Sequence, residues 1–176
     1  LCLPGEYQDS LAQLACHKCP YGSFSNTSGQ SECLPCSPGK FMNVTGSTEC
    51  TFCTFGRYAA VPGLSACREC DAGKFGNSTG MTGCFACPVG TVQEQVGQLG
   101  CIPCPVGFYM GETGQVKCLE CNSGRFANLT GTSSCVFCTP GRYSLTLQNG
   151  QGITTCLPCP PGSYSDRNNT LSCDPC

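Results

Sequence analysis

The chain has 176 residues, among them 21 cysteines, 23 glycines, 13 prolines and no tryptophan. Cysteine above roughly 8–10% marks a disulfide-held chain from an oxidising compartment. A formal net charge of −2 argues against a nucleic-acid partner. No apolar run approaches the roughly 20 residues of a spanning helix, so no membrane insertion is expected in this segment.

The cysteines keep a 17-residue period. After Cys2 they fall in Cys-x-x-Cys pairs: Cys16/Cys19, Cys33/Cys36, Cys50/Cys53, Cys67/Cys70, Cys84/Cys87, Cys101/Cys104, Cys118/Cys121, Cys135/Cys138, Cys156/Cys159 and Cys173/Cys176. Only the interval from Cys138 to Cys156 is stretched, by four residues. A fixed short period means stacked copies of one supersecondary unit. Residues 1–176 are therefore read as one continuous array. Its units open at Cys2, Cys19, Cys36, Cys53, Cys70, Cys87, Cys104, Cys121, Cys138 and Cys159. Cys2 lacks a cysteine three residues before it and Cys176 opens a unit that does not continue, which reads as a window on a longer chain.

Within each unit the residues fall into columns. A glycine stands three residues after every opening cysteine: Gly5, Gly22, Gly39, Gly56, Gly73, Gly90, Gly107, Gly124, Gly141 and Gly162. Proline often precedes it, as at Pro4, Pro38, Pro140 and Pro161, which predicts a tight turn with the glycine at positive φ. Two residues on comes an aromatic in nine of ten units: Tyr7, Phe24, Phe41, Tyr58, Phe75, Tyr109, Phe126, Tyr143 and Tyr164, with Val92 the exception. The alternation predicts a short strand with its ring turned inward against the disulfides. The residue between faces out and is basic in five units, at Lys40, Arg57, Lys74, Arg125 and Arg142. A second glycine column, at Gly29, Gly46, Gly63, Gly80, Gly97, Gly114 and Gly131, marks the return toward the closing cysteine. No segment has a useful 3.6-residue apolar period. The fold class is thus small, disulfide-rich and all-β or irregular: an elongated, solenoid-like array of ten single-disulfide hairpin repeats with almost no helix.

Opening and closing cysteines stand 14 residues apart in every unit but one. One bond per unit gives Cys2–Cys16, Cys19–Cys33, Cys36–Cys50, Cys53–Cys67, Cys70–Cys84, Cys87–Cys101, Cys104–Cys118, Cys121–Cys135, Cys138–Cys156 and Cys159–Cys173, leaving Cys176 alone. A crossed pattern between neighbouring units is the rival pairing. Bonding inside Cys-x-x-Cys would make redox centres and lacks a thioredoxin-like βαβ context. Zinc ribbons have similar spacing, but an unbroken series cannot be divided into ribbons and linkers. Neither metal nor cofactor is expected.

Asn-x-Ser/Thr sequons occur at Asn26, Asn43, Asn77, Asn128 and Asn168. The first four stand seven residues after their opening cysteine, in the loop before the second glycine. Asn-x-Thr-Gly is also good turn chemistry. N-linked glycans are expected on these asparagines, and with them an extracellular or cell-surface location. Sugar should leave repeats without sequons free for contact. Ala60, Val61, Val96 and Met110 are the assembly candidates, and the insertion around Asn149-Gly150-Gln151-Gly152 is a second one.

The run Cys-Pro-x-Gly-x-Tyr/Phe…Gly-x-x-x-Cys-x-x-Cys, seen from Cys104 to Cys121, resembles the cysteine-rich repeats of ephrin-receptor-like domains. Its single-disulfide loop is also similar to the first half-module of tumour necrosis factor receptors, whose two-disulfide module is absent here. The unbroken run looks like the long repetitive extracellular glycoproteins of protists or algae, such as surface antigens and flagellar hair proteins. No catalytic constellation is legible: the lone His17 reads as a surface residue, and the eleven acids are scattered. The chain is read as a non-enzymatic structural glycoprotein, a disulfide-laddered spacer or filament protomer whose partners are copies of itself or other extracellular proteins. The alternative is the ligand-binding cysteine-rich ectodomain of a receptor or adhesin.

Overall fold

The computed structural model describes residues 1–10, 15–145, 152–168 and 170–176. Among them there is no helix, and each repeat carries one pair of two-residue strands. The first strand is the two residues after the turn glycine. The second is the pair of residues inside the next Cys-x-x-Cys. Ser23–Phe24 pairs antiparallel with Leu34–Pro35, Arg57–Tyr58 with Arg68–Glu69, and Arg125–Phe126 with Val136–Phe137. The returning strand is therefore the cysteine spacer itself, not the stretch around the second glycine.

Strands this short are marginal on their own. Ten disulfides close them: Cys2–Cys16, Cys19–Cys33, Cys36–Cys50, Cys53–Cys67, Cys70–Cys84, Cys87–Cys101, Cys104–Cys118, Cys121–Cys135, Cys138–Cys156 and Cys159–Cys173. Their Cα–Cα distances lie between 5.6 and 5.8 Å. Each restricts a loop of about 15 residues, worth roughly 3 kcal/mol in the chain-entropy account.

The chain divides into two compact units. The first comprises Leu1–Asp71, Phe75–Phe85 and Val96–Leu99; the second Ala72–Lys74, Ala86–Gln95 and Gly100–Cys176.

In the first unit each repeat is hydrogen-bonded to the next by the same backbone groups. The turn glycine donates to the residue after the next aromatic, as Gly22 N–H does to Met42 O at 2.8 Å. That residue donates in turn one repeat further, Met42 N–H to Leu64 O at 3.1 Å. The second glycine reaches back to the preceding opening cysteine, Gly46 N–H to Cys19 O at 2.8 Å. Glycines of the two columns then meet two repeats apart: Gly5 on Gly46, Gly22 on Gly63, Gly39 on Gly80 and Gly56 on Gly97. A Cβ on the first of each pair would run into the carbonyl of the second, and both lie at positive φ, so glycine is required twice over. The interior is a thin column of Cys19, Cys36, Cys53 and Cys70, all fully buried, beside Ser25, Met42, Ala59 and Met81.

The second unit repeats the scheme. Gly73 meets Gly114, Gly90 meets Gly131 and Gly107 meets Gly152. Cys87, Cys104, Cys121 and Cys138 line its interior with Gln93, Met110, Ala127, Ser144 and Ile153. The buried polar groups are satisfied within it. Gln93 Nε2 donates to Gly100 O at 2.8 Å, and Ser144 Oγ accepts from Gly124 N–H at 2.9 Å. Burying them costs little because each has its partner.

The innermost side chain is thus the one after the aromatic. The rings expected inside are only half-buried, and Tyr164 is exposed. The physical reason is the ladder: the residue after the ring is bonded to both neighbouring repeats, which turns its side chain, not the ring, into the stack beside the opening cysteines.

Candidate interaction surface

Three outward-facing positions of the repeat bear on interaction. The first is the basic column on the outer strand, which spends its charge locally. Arg57 Nη2 donates to Glu69 Oε1 at 2.5 Å, and these are cross-strand partners. Lys40 Nζ lies 4.3 Å from the centre of the Phe52 ring and the Arg125 guanidinium 4.1 Å from that of Phe137. Arg142 Nη1 donates to Cys156 O at 3.0 Å. These four side chains hold hairpins together rather than forming an anion-binding row.

The second position is the sequon column. Asn26, Asn43 and Asn77 are exposed in the first unit, as is Asn128 in the second. Each follows a buried residue, so the chain emerges from the stack at the asparagine. Asn168 is exposed too, but it stands nine residues after Cys159 instead of seven. Its threonine is engaged in the fold, Thr170 Oγ1 donating to Arg167 O at 2.9 Å.

The third is the Cys-x-x-Cys spacer, which the sequence reading passed over. In the second unit its first residue is apolar and exposed in consecutive repeats: Ile102, Leu119, Val136 and Leu157. Each pairs across its hairpin with Val92, Tyr109, Phe126 and Tyr143 respectively. The signal was available, since apolar residues on a two-residue outer strand have no interior to enter.

The assembly candidates separate. Ala60, Val61 and Val96 are exposed, Val96 at 53%. Met110 is 4% exposed and is buried in the second unit as Ala127 is one repeat on, so it is not a surface for another chain. Exposed apolar residues are not confined to repeats without sequons either. Val44 and Leu129 stand in the middle of two sequons, Leu129 at 69% exposure. Of the insertion, Asn149, Gly150 and Gln151 lie outside the described residues. Gly152 is buried against Gly107 at φ +67, which makes it a member of the second glycine column rather than a contact loop. Counting back four residues from the closing cysteine, as for Gly131 and Cys135, would have found it.

His17 is exposed beside Tyr7, with ring centres 5.9 Å apart. Among the described residues no three His, Cys, Asp or Glu side chains come together to hold a metal, and no helix is long and apolar enough to cross a membrane.

The chain matches the family described as tyrosine-protein kinase ephrin type A/B receptor-like three times, over residues 22–63, 56–99 and 94–138. The first match begins and ends at Gly22 and Gly63, the two glycines that pack on each other. No curated protein matches the chain.

Proposed function

We propose a structural role from one premise: this chain belongs to the tyrosine-protein kinase ephrin type A/B receptor-like family of cysteine-rich repeats. In this reading it is an extracellular glycoprotein segment that serves as a spacer or as a filament protomer. One observation carries it: the same backbone bonds and the same glycine contacts recur from repeat to repeat. Their hydrogen bonds and their small interior are spent on stacking against each other, which is what a uniform spacer needs.

Deleting one whole period tests it. Removal of residues 53–69 joins Cys50-Thr51-Phe52 to Cys70 and leaves every remaining repeat in phase. The shortened chain should be secreted with its nine other disulfides recovered by non-reducing peptide mapping, and should attach or assemble as the full chain does. The same should hold for any other period removed. Loss of attachment on removing one particular period, with the disulfides intact, would refute the spacer reading.

A specific observation favours a second reading. The exposed apolar run of Ile102, Leu119, Val136 and Leu157 in the second unit is the kind of surface a binding ectodomain presents. On that reading deletion of residues 104–120 abolishes partner binding, whereas deletion of 53–69 does not.

A further inference from the structure

Phenylalanine and tyrosine are not distributed at random in the aromatic column. Every repeat with a sequon seven residues after its opening cysteine carries Phe two residues before the asparagine: Phe24 and Asn26, Phe41 and Asn43, Phe75 and Asn77, Phe126 and Asn128. No other repeat has Phe there. Those without this sequon have Tyr7, Tyr58, Tyr109, Tyr143, Tyr164 or Val92. Packing alone gives no reason for the division, because the rings of both kinds lie at the same step of the same hairpin.

The backbone between ring and asparagine supplies the geometry. The intervening residue is held from both sides: Met42 N–H donates to Leu64 O at 3.1 Å and Met42 O accepts from Gly22 N–H at 2.8 Å. Ala127 makes the same two bonds, to Ile153 O at 2.9 Å and from Gly107 N–H at 2.7 Å. Ser25 and Gly76 do likewise. The side chains of Ser25, Met42 and Ala127 are buried, and a Cβ on Gly76 would meet Cys70 Sγ and Met81 Sδ, so the side chains before and after share the opposite, solvent side. The ring there is half-buried, and the asparagine beyond it is exposed.

We propose that Phe24, Phe41, Phe75 and Phe126 are stacking platforms for the first N-acetylglucosamine of glycans on Asn26, Asn43, Asn77 and Asn128. The proposal rests on the glycoprotein reading above and deepens it. Attachment joins the asparagine amide nitrogen to the anomeric carbon of a lipid-pyrophosphate-linked oligosaccharide. The carbon–oxygen bond to the pyrophosphate breaks, the lipid pyrophosphate leaves with the electron pair, and the amide loses a proton. The α-face of the attached sugar is a patch of C–H bonds, complementary to the negative face of an aromatic ring. Covering a half-exposed Phe removes apolar surface from water at no polar cost. Covering a Tyr would threaten the hydration of its hydroxyl, which a bare repeat uses to keep its ring edge wetted. Phe under sugar and Tyr under water follow from the same rule.

The full chain secreted from glycosylating cells, trimmed enzymatically to one N-acetylglucosamine per site, provides the test. Peptide mapping first gives occupancy at each asparagine. Nuclear magnetic resonance of the sugars then compares the folded protein with glycopeptides proteolysed from it. Ring and N-acetyl protons on Asn26, Asn43, Asn77 and Asn128 should move upfield in the folded protein, under the ring current of the Phe. A sugar on Asn168, which has Asp166 two residues before it, should not. Phe41→Leu should abolish the shift at Asn43 and leave the other three. If that variant fails to fold, the comparison of wild-type protein with its own glycopeptides still decides. Occupied sites with unshifted sugars overturn the stacking and leave the glycoprotein reading standing. Empty asparagines overturn both.

Discussion

Gly90 and Gly114 occupy two turns of the second unit, at φ +79 and φ +72. They differ in what a side chain would meet. A Cβ on Gly90 runs into the carbonyl of Gly131, whereas one on Gly114 makes ordinary contact with Ala86 Cβ at 3.6 Å and Gly73 O at 3.9 Å. Alanine at either position pays the left-handed backbone cost, roughly 1–2 kcal/mol. At Gly90 the clash is with backbone, which cannot swing aside. The two strands of chain must part, loosening Gly90 N–H to Met110 O at 2.7 Å and Gly131 N–H to Cys104 O at 2.8 Å. Two backbone hydrogen bonds at about 1 kcal/mol each make Gly90→Ala worse than Gly114→Ala by about 2 kcal/mol. That difference is about 30-fold in an opening equilibrium. Amide hydrogen exchange at Gly131, followed with the disulfides intact, reads it directly: faster by about that factor in Gly90→Ala and unchanged in Gly114→Ala. Equal protection in the two variants would mean that the glycines are kept for φ alone and that repeats two apart do not depend on close contact.

Two further outcomes follow from burial and loop size. Met110→Ala should destabilise the second unit by about 2–5 kcal/mol in denaturant titration, whereas Val96→Ala should stay within about 0.5 kcal/mol. The reverse order would restore Met110 to the surface. Replacing both Cys104 and Cys118 by Ala should cost roughly 3 kcal/mol. The same change at Cys138 and Cys156, whose separation is 18 rather than 14, should cost only about 0.2 kcal/mol more by loop entropy.

The period, the hairpin and the absence of useful helical patterning were legible in the sequence because they are local. Turn glycine, aromatic and cysteine lie within one repeat, and their spacing is their geometry. Which side chain points inward was not legible. The inward column holds Ser25, Met42, Ala59, Gly76, Gln93, Met110, Ala127 and Ser144, residues with no common polarity. What they share is a position between two hydrogen-bonded neighbours, fixed by residues a full repeat or more away. Hydrophobicity therefore placed the rings inside, where they are only half-buried, and Met110 on the surface, where the ladder had already buried it. The sequons could be read by motif alone. The Phe two residues before each of the first four stands in the sequence as well; only the burial of the residue between them was not legible there.

The long repeat shows which parts of the period are free. Gly107 and Gly152 are 45 residues apart, whereas the equivalent pairs Gly90/Gly131 and Gly73/Gly114 are separated by 41. The two glycines still meet, through Gly152 Cα and carbonyl carbon rather than its oxygen, and Gly152 N–H donates to Glu120 Oε1 at 3.2 Å, while Ala127 N–H still finds Ile153 O at 2.9 Å. Ahead of the extra residues, Ser144 sits in the buried column and Gly124 N–H still donates to Ser144 O at 2.9 Å. The four additional residues are therefore absorbed between the inward side chain and the returning glycine. This is the sequon loop of other repeats, where the chain has left one set of bonds and not yet entered the next. An equal insertion between an opening cysteine and its inward residue would move the turn glycine, the strand and the ladder out of phase together. In the described loops at 43–45 and 128–130 no backbone group bonds to a neighbouring repeat, which is why added length at this point of the period leaves the ladder in phase.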